Sequence, residues 1–292
     1  MSGQSIETSR DFLSSMAESS RARSAAAQAV SPARELRARI ADRPAAPRLS
    51  LANFDLIAEV KLRSPAVGLL KAAAEEDVGA RVATYARAGA AAVSILTEPS
   101  RFDGSLADLE NGCRALAPLA VPGMRKDFLV DGYQVLEGRV AGAGGVLAIL
   151  RMLPRADLEE LIDTALALDM FVLLEAFDMP DIELAHSLVD SRRSQRDLLL
   201  VGVNSRDLVT LKVVPGRLDS LAPALPREVR RVAESGVATA ADAARVASAG
   251  YDLALVGSAL MSATDPARLA GAMLAEGRAA ATARAASAGA GA

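Results

Sequence analysis

The sequence predicts an α/β fold in which eight parallel strands close into a barrel, each followed by a helix, with a helical extension at the N-terminus. Three observations lead there. Eight short apolar runs recur from residue 56 onward. Stretches with helical period separate them. Charged or small polar residues stand at the ends of most of the runs.

In chain order, residues 1–50 differ from the rest. Ser9 to Ala27 reads as a helix with Phe12, Leu13 and Met16 on one side. Ser31-Pro32 reads as a second helix start, serine at the N-cap and proline at the first helical position. Leu36 and Ile40 follow at i, i+4 spacing, and Arg43-Pro44 ends that helix. This extension has too little apolar content for a core of its own.

The eight runs are Leu56–Lys61, Ala92–Thr97, Val121–Lys126, Gly145–Leu150, Phe171–Glu175, Leu198–Asn204, Val229–Glu234 and Leu253–Gly257. They are rich in Val, Ile and Leu and show little polar alternation, which predicts strands buried on both faces and therefore parallel. The helical stretches between them often end in Ala-Gly, as at Ala88-Gly89, Ala141-Gly142 and Ala249-Gly250, where glycine suits the position just past a helix. No glycine-rich dinucleotide turn follows the first run, which disfavours an open doubly wound sheet. Eight such units over residues 51–278 make a (β/α)8 TIM barrel. Val189 to Asp197 reads as a solvated loop on the amino-terminal face. Residues 279–292, rich in Ala, Gly and Ser, read as a flexible tail.

Composition narrows the function. Half of the 292 residues are apolar (51%) and the net charge is −3, so there is no basic footprint for nucleic acid. No run is long enough to span a membrane. The polar N-terminus has no apolar leader core, and the single Cys113 allows no disulfide within the chain. A cytoplasmic protein is expected, with Cys113 reduced and packed. One histidine and one cysteine give no metal site, and His186 reads as a surface helix residue.

Four lysines stand among 33 basic residues: Lys61, Lys71, Lys126 and Lys212. Lysine differs from arginine in a pKa that burial can move, and so in being able to transfer a proton. Lys61 and Lys126 end apolar runs. In a strand, residues i and i+2 share a face, so Glu59 and Lys61 sit side by side at the end of the first. The other run ends supply Glu175, Asn204, Glu234 with Ser235-Gly236, and Gly257-Ser258. In a barrel these converge on one mouth. Two lysines and three glutamates there form an acid–base set. The small residues after the last two strands suit a phosphate group, whose charge backbone N–H groups can meet. Ser64 adds a hydroxyl from the first loop. Each feature also has a plainer reading: Glu175 or Glu234 as a structural ion pair, Asp127 as a loop anchor, Arg206-Asp207 as a structural pair. The agreement of many strand ends carries the case.

Taken together, these residues resemble the indole-3-glycerol-phosphate synthase family from about Ile57 to Leu269. The matching motifs are Ile57-Ala58-Glu59-Val60-Lys61 with Ser64-Pro65; Ser94-Ile95-Leu96-Thr97-Glu98 with Phe102-Asp103-Gly104-Ser105; Arg125-Lys126-Asp127-Phe128; Leu174-Glu175; Gly202 to Leu208; Ala233-Glu234-Ser235-Gly236-Val237; and Leu255-Val256-Gly257-Ser258. The resemblance implies a cofactor-free carboxy-lyase of tryptophan biosynthesis. Such an enzyme closes an indole ring from 1-(2-carboxyphenylamino)-1-deoxyribulose 5-phosphate with loss of carbon dioxide and water. It implies Lys126 as general acid at the substrate carbonyl and Glu175 as general base in dehydration. Lys61, held by Glu59, would bind substrate and supply a second proton. Asn204 and Glu234 would orient hydroxyls and lysines. Ser64, Ser235, Gly236, Gly257 and Ser258 would hold the phosphate, and Phe102, Phe128, Leu147 and Arg206 would line the aromatic pocket. A small phosphorylated substrate is the expected partner, and the chain is expected as a monomer or weak homodimer.

Two departures stand out. The first loop reads Ser64-Pro65-Ala66-Val67-Gly68, with less positive charge than many relatives carry there. The third run has Pro122-Gly123-Met124, where the glycine is expected to loosen the strand. A paralogous phosphate-binding barrel with a shifted substrate, or a silent phosphate-ligand binder, are the alternatives. The complete set Glu59, Lys61, Lys126 and Glu175 argues against the binder, since buried charge without chemistry has only a cost.

Overall fold

A computed structural model describes residues 9–64, 68–70 and 76–289, the side chains of residues 9–11, 288 and 289 excepted. Pro65, Ala66, Val67 and Lys71 lie outside the described residues.

Eight parallel strands close into a barrel: β1 Asp55–Val60, β2 Ala92–Leu96, β3 Gly123–Lys126, β4 Gly145–Ile149, β5 Phe171–Ala176, β6 Leu199–Asn204, β7 Arg230–Glu234 and β8 Leu253–Val256. Each strand pairs with its sequence neighbours, and β1 closes the ring against β8 through Asp55↔Leu253 to Ala58↔Val256. All eight apolar runs thus become strands. Nearly every strand residue is buried because alternate side chains face two cores. Ile57, Met124, Leu147, Leu173, Leu200 and Leu253 fill the barrel. Leu56, Ala58, Val93 and Val201 face the surrounding helices.

The helices are α1 Ser9–Val30, α2 Ala33–Ala41, α3 Val78–Arg87, α4 Pro99–Phe102, α5 Leu106–Leu116, α6 Gly132–Val140, α7 Arg155–Leu166, α8 Met179–Ser191, α9 Arg217–Leu221, α10 Ala240–Ala249, α11 Ser258–Ser262 and α12 Pro266–Gly289. Their starts follow local chemistry. The Asp77, Ser105, Asp131 and Asp178 side chains each accept from the backbone N–H three residues on, satisfying a donor the helix itself cannot. Thr239 and Asp242 form a reciprocal capping box on α10. At the other ends, Gly89 and Gly142 take a φ of 98°, the left-handed turn expected of the Ala-Gly pairs.

Four expectations need correction. The second N-terminal helix starts at Ala33, with Pro32 at its N-cap position and no side-chain cap. Ser31 Oγ instead meets Glu35 Oε2 at 3.4 Å. Residues 189–197 are exposed at most positions, as expected, but they are helical and not a loop. Helix α8 runs through Ser191 and a 3₁₀ segment, Arg193–Leu198, follows, with Arg192 buried and bonded to Asp163 at 2.7 Å. The tail from residue 279 continues α12 to Gly289. Ala281 is buried and the Arg284 guanidinium donates to the Ala247 carbonyl. Its alanines, read as loose sequence, are the best helix formers. Finally, Gly123 does not loosen β3. The space its side chain would fill holds the Cys113 sulfur, and a Cβ at Gly123 would stand 2.6 Å from it. Burial pushes the Cys113 thiol up to about 12, so it packs as an inert neutral group.

Helix α1 lies against the carboxyl-end rim. Phe12, Leu13 and Met16 join the barrel core, while Ser20 accepts from Gln134 Nε2 at 2.9 Å.

Candidate active site

The carboxyl ends of the strands surround a cavity of about 320 Å³. Glu59, Lys61, Lys126, Glu175, Asn204 and Glu234 line it. Ser64, Ser235, Gly236, Gly257 and Ser258 lie on it too, as do Phe102, Phe128, Leu147 and Arg206. Every site residue read from the sequence therefore faces one space.

The barrel makes this happen by alternation. Ile57, Glu59 and Lys61 point inward in turn, as do Leu173 and Glu175, and Val232 and Glu234. On β1, β3, β5, β6 and β7 the inward face ends in a polar residue above an apolar plug, whereas on β2, β4 and β8 it ends in Leu96, Ile149 and Leu255. Two glycines make room for the carboxylates. A Cβ at Gly202 would collide with Glu234 Oε1, and one at Gly257 would collide with Glu59 Oε1. Glycine at these strand positions reflects close approach, not flexibility.

The charges form two linked pairs. Lys61 Nζ donates to Glu59 Oε1 at 2.6 Å. Burial raises the Glu59 pKa, but Lys61, Lys126 and Arg206 outweigh it and hold the carboxyl below the usual range. Lys126 Nζ stands 3.9 Å from Glu175 Oε1. Burial alone would lower the Lys126 pKa, yet the carboxylates around it, Glu175 first and Glu59 next, raise it above that of an ordinary lysine. Asn204 Nδ2 donates to Glu175 Oε1 at 2.9 Å, and its Oδ1 accepts from the Arg206 N–H at 2.9 Å. That second bond fixes which end of the amide faces Glu175. Glu234 is buried, and neither of its oxygens has a hydrogen-bond partner among the described residues. Burial, reinforced by the Glu175 charge, pushes its pKa well above the usual carboxylate range and favours the neutral acid.

The opposite wall is apolar. Phe128 meets Phe12 edge-on, with centroids 5.9 Å apart and an interplanar angle of 77°, and lies 6.4 Å from Phe102. Leu96, Leu147, Ile149 and Leu255 complete the wall. A planar aromatic group fits between this wall and the charged floor. On the β7–β8 side, Ser235 and Gly236 take φ of 63° and 73°, and Ser258 opens α11. The Ser205 hydroxyl donates to the Ser235 carbonyl at 3.0 Å and holds that turn.

Sequence reasoning missed some of the lining. Phe12 comes from α1, and Leu208, Leu211 and Val213 come from the loop after β6. That loop folds back through a bridge between Arg206 and Val213, with Leu211 at a left-handed φ of 58°. Arg206 and Asp207 turn to different partners. Arg206 Nη1 donates to the Leu211 carbonyl at 2.6 Å, while Asp207 Oδ1 accepts from the Val209 and Thr210 N–H groups and closes a turn. Asp127 anchors its loop by accepting from the Phe128 N–H at 2.8 Å and Thr97 Oγ1 at 2.8 Å. His186 is exposed on α8 and contacts the Ala224 carbonyl, away from the mouth.

Comparisons with known proteins agree with this architecture. A solved structure of thiamine phosphate pyrophosphorylase from Pyrococcus furiosus superposes with a TM-score of 0.57 over 78% of this chain and 97% of that one; at 15% identity the likeness is one of fold. An indole-3-glycerol phosphate synthase of a Nocardioides species is 43% identical over 237 residues, 80% of this chain and 86% of the relative. One from a Parafrankia species is 42% identical over 221 residues, 76% of each chain. Indole-3-glycerol phosphate synthase 1 of Streptomyces coelicolor is 40% identical over 211 residues, 72% of this chain and 74% of that one. The family model described as indole-3-glycerol phosphate synthase matches residues 8–272. With nearly the whole chain inside that match, and relatives at this identity along most of the barrel, the chain belongs to the indole-3-glycerol phosphate synthase family.

Proposed function

We infer that the chain is a decarboxylating, ring-closing lyase that makes indole-3-glycerol phosphate from the carboxyphenylamino-deoxyribulose phosphate, and that the residues of the mouth divide the work as follows. The observation that carries the residue roles is Lys126, 3.9 Å from Glu175, lining the same cavity as the aromatic wall and kept charged chiefly by Glu175 and Glu59.

The substrate's anthranilate ring lies against Phe102, Phe128 and Leu147, and its phosphate against Ser64, Ser235, Gly236, Gly257 and Ser258. In the first step the ring carbon bearing the carboxylate attacks the sugar carbonyl. A carbon–carbon bond forms, and Lys126 gives its proton to the carbonyl oxygen as the C=O bond becomes C–OH. Loss of carbon dioxide leaves its bonding electrons in the ring, which regains aromaticity. In the second stage the new hydroxyl departs as water. Lys61 supplies the proton to that oxygen, and Glu175 accepts one as the pyrrole double bond forms. Asn204 holds Glu175 in line, Glu59 orients Lys61, Arg206 edges the aromatic pocket, and neutral Glu234 can donate to a substrate hydroxyl. The apolar wall excludes water, which strengthens each charge interaction inside.

This reading carries with it a cytoplasmic location and a chain that acts alone or as a weak homodimer. Among the described residues, no helix is long and apolar enough to cross a membrane. The test is direct. Purified protein is mixed with the carboxyphenylamino-deoxyribulose phosphate in buffer containing chelator, and the indole product is followed by fluorescence with carbon dioxide release in parallel. Stoichiometric indole and carbon dioxide support the reading. Tight phosphate-dependent binding with no product would replace it with a silent barrel.

A further inference from the structure

The N-terminal helix reaches the site twice. Phe12 enters the aromatic wall. Three turns further on, Arg23 reaches the loops behind it. Arg23 Nη2 donates to Asp127 Oδ1 at 2.7 Å, and Nη1 stands 3.6 Å from Glu98 Oε1. Asp127 directly follows Lys126 and precedes Phe128. Glu98 caps α4, accepting from the Ser100 and Arg101 N–H groups, and α4 ends at Phe102. One guanidinium thus joins the loop of the acid and one aromatic residue to the loop of the other.

Both carboxylates are almost fully shielded, with 1% of the Asp127 side chain and none of Glu98 exposed, while Arg23 is 28% exposed. Asp127 has further partners in Thr97 Oγ1, the Phe128 N–H and, at 3.6 Å, Arg125 Nη2. Arg23 is not what docks α1. Buried Phe12, Leu13 and Met16, the Ser20–Gln134 bond and the bond from the Tyr133 hydroxyl to the Ser31 carbonyl hold that end of the chain. Its forked ending on two loops suits orientation better than attachment.

We propose that Arg23 is a positioning residue for the reaction: through Asp127 and Glu98 it sets the segments that follow β3 and β2, one adjoining Lys126 and bearing Phe128, the other bearing Phe102. The proposal rests on Lys126 being the general acid. A misplacement of the acid of about 1 Å is enough to cost on the order of a hundredfold in rate, while apolar contacts that bind the substrate tolerate it better.

The experiment measures kcat, KM and melting temperature for R23M, R23K, D127N and R23M/D127N, with K126M alongside. R23M lowers kcat about 10- to 100-fold and leaves KM within about threefold, the mark of an interaction expressed in the transition state. R23K recovers part of the loss, since one ammonium can meet Asp127 but not both carboxylates at once. The double variant turns over within about twofold of D127N, because the two residues act as one unit. Unchanged kcat in R23M with a lower melting temperature overturns the proposal and makes Arg23 a purely structural tie. So do losses that add in the double variant. K126M separates the two levels. If K126M is inactive and R23M is fully active, only the proposal fails; if K126M keeps wild-type turnover, the acid assignment falls and the proposal with it.

Discussion

Lys126 and Glu175 face one another across the barrel mouth at 3.9 Å, too far for a direct hydrogen bond and close enough for the carboxylate to help keep the lysine charged. The gap leaves both groups free to meet a reacting oxygen between them. Glu175 does not drift into the gap because Asn204 holds the same Oε1 at 2.9 Å. In the proposed reaction the pair is a proton donor and an acceptor kept apart by a third residue.

Removing that third residue tests the arrangement. N204A frees Glu175 to close on Lys126, and kcat is expected to fall about tenfold or more with a smaller change in KM. Steady-state kinetics check this. A rise in KM alone would assign Asn204 to substrate binding instead.

The raised Lys126 pKa predicts a pH profile. Protonated Lys126 persists past the ordinary lysine value of about 10.4, so kcat/KM should show no alkaline loss from this group below it. E175Q removes the strongest of the charges that sustain it, so the alkaline limb of its residual activity moves to lower pH. An unmoved limb would remove Lys126 from that titration.

Glu234 gives a prediction of opposite kind. Its pKa is raised in the fold, so its stabilising contribution is full below the unfolded value of about 4.3 and is lost as pH rises through the raised value. E234Q keeps the neutral shape without that ionisation. It should melt about 2–4 °C above the parent at pH 8 and with it near pH 4, while turnover falls. Thermal melts at the two pH values decide; a lower melting temperature at pH 8 would mean that Glu234 is ionised and paired.

At Gly123 the prediction concerns packing. G123A drives a methyl group against the Cys113 sulfur and should destabilise by about 1–3 kcal/mol. Combining it with C113A should recover part of that loss, since the two positions share one space. Urea unfolding of the single and double variants measures the coupling.

Much of this was legible in the sequence for a physical reason. Lys126, Glu175 and Glu234 end inward faces whose preceding residues are Met124, Leu173 and Val232, so they stand out against apolar neighbours. Once the strands close, their ends must meet. The Glu59–Lys61 pairing followed from strand period alone. What was not legible depends on contacts between distant segments. Phe12 reaches the wall because α1 docks on the barrel through contacts far apart in the chain, such as Ser20 with Gln134, 114 residues away. Leu208, Leu211 and Val213 reach it because their loop folds back on Arg206, with Leu211 in a backbone region a sequence does not announce. The role of Gly123 could not be read without Cys113 beside it. Residues 279–289 misled because alanine-rich composition suits a frayed tail and a packed helix equally.

The central claim is that Lys126 is the acid of ring closure, and the most direct measurement is turnover and substrate affinity in K126M. Turnover should be nearly abolished, about a thousandfold or more, with the dissociation constant for the carboxyphenylamino-deoxyribulose phosphate within about tenfold of wild type. Wild-type turnover in K126M would contradict the account. Loss of binding in step with turnover would contradict it too, making Lys126 a substrate anchor and sending the search for the acid to Lys61.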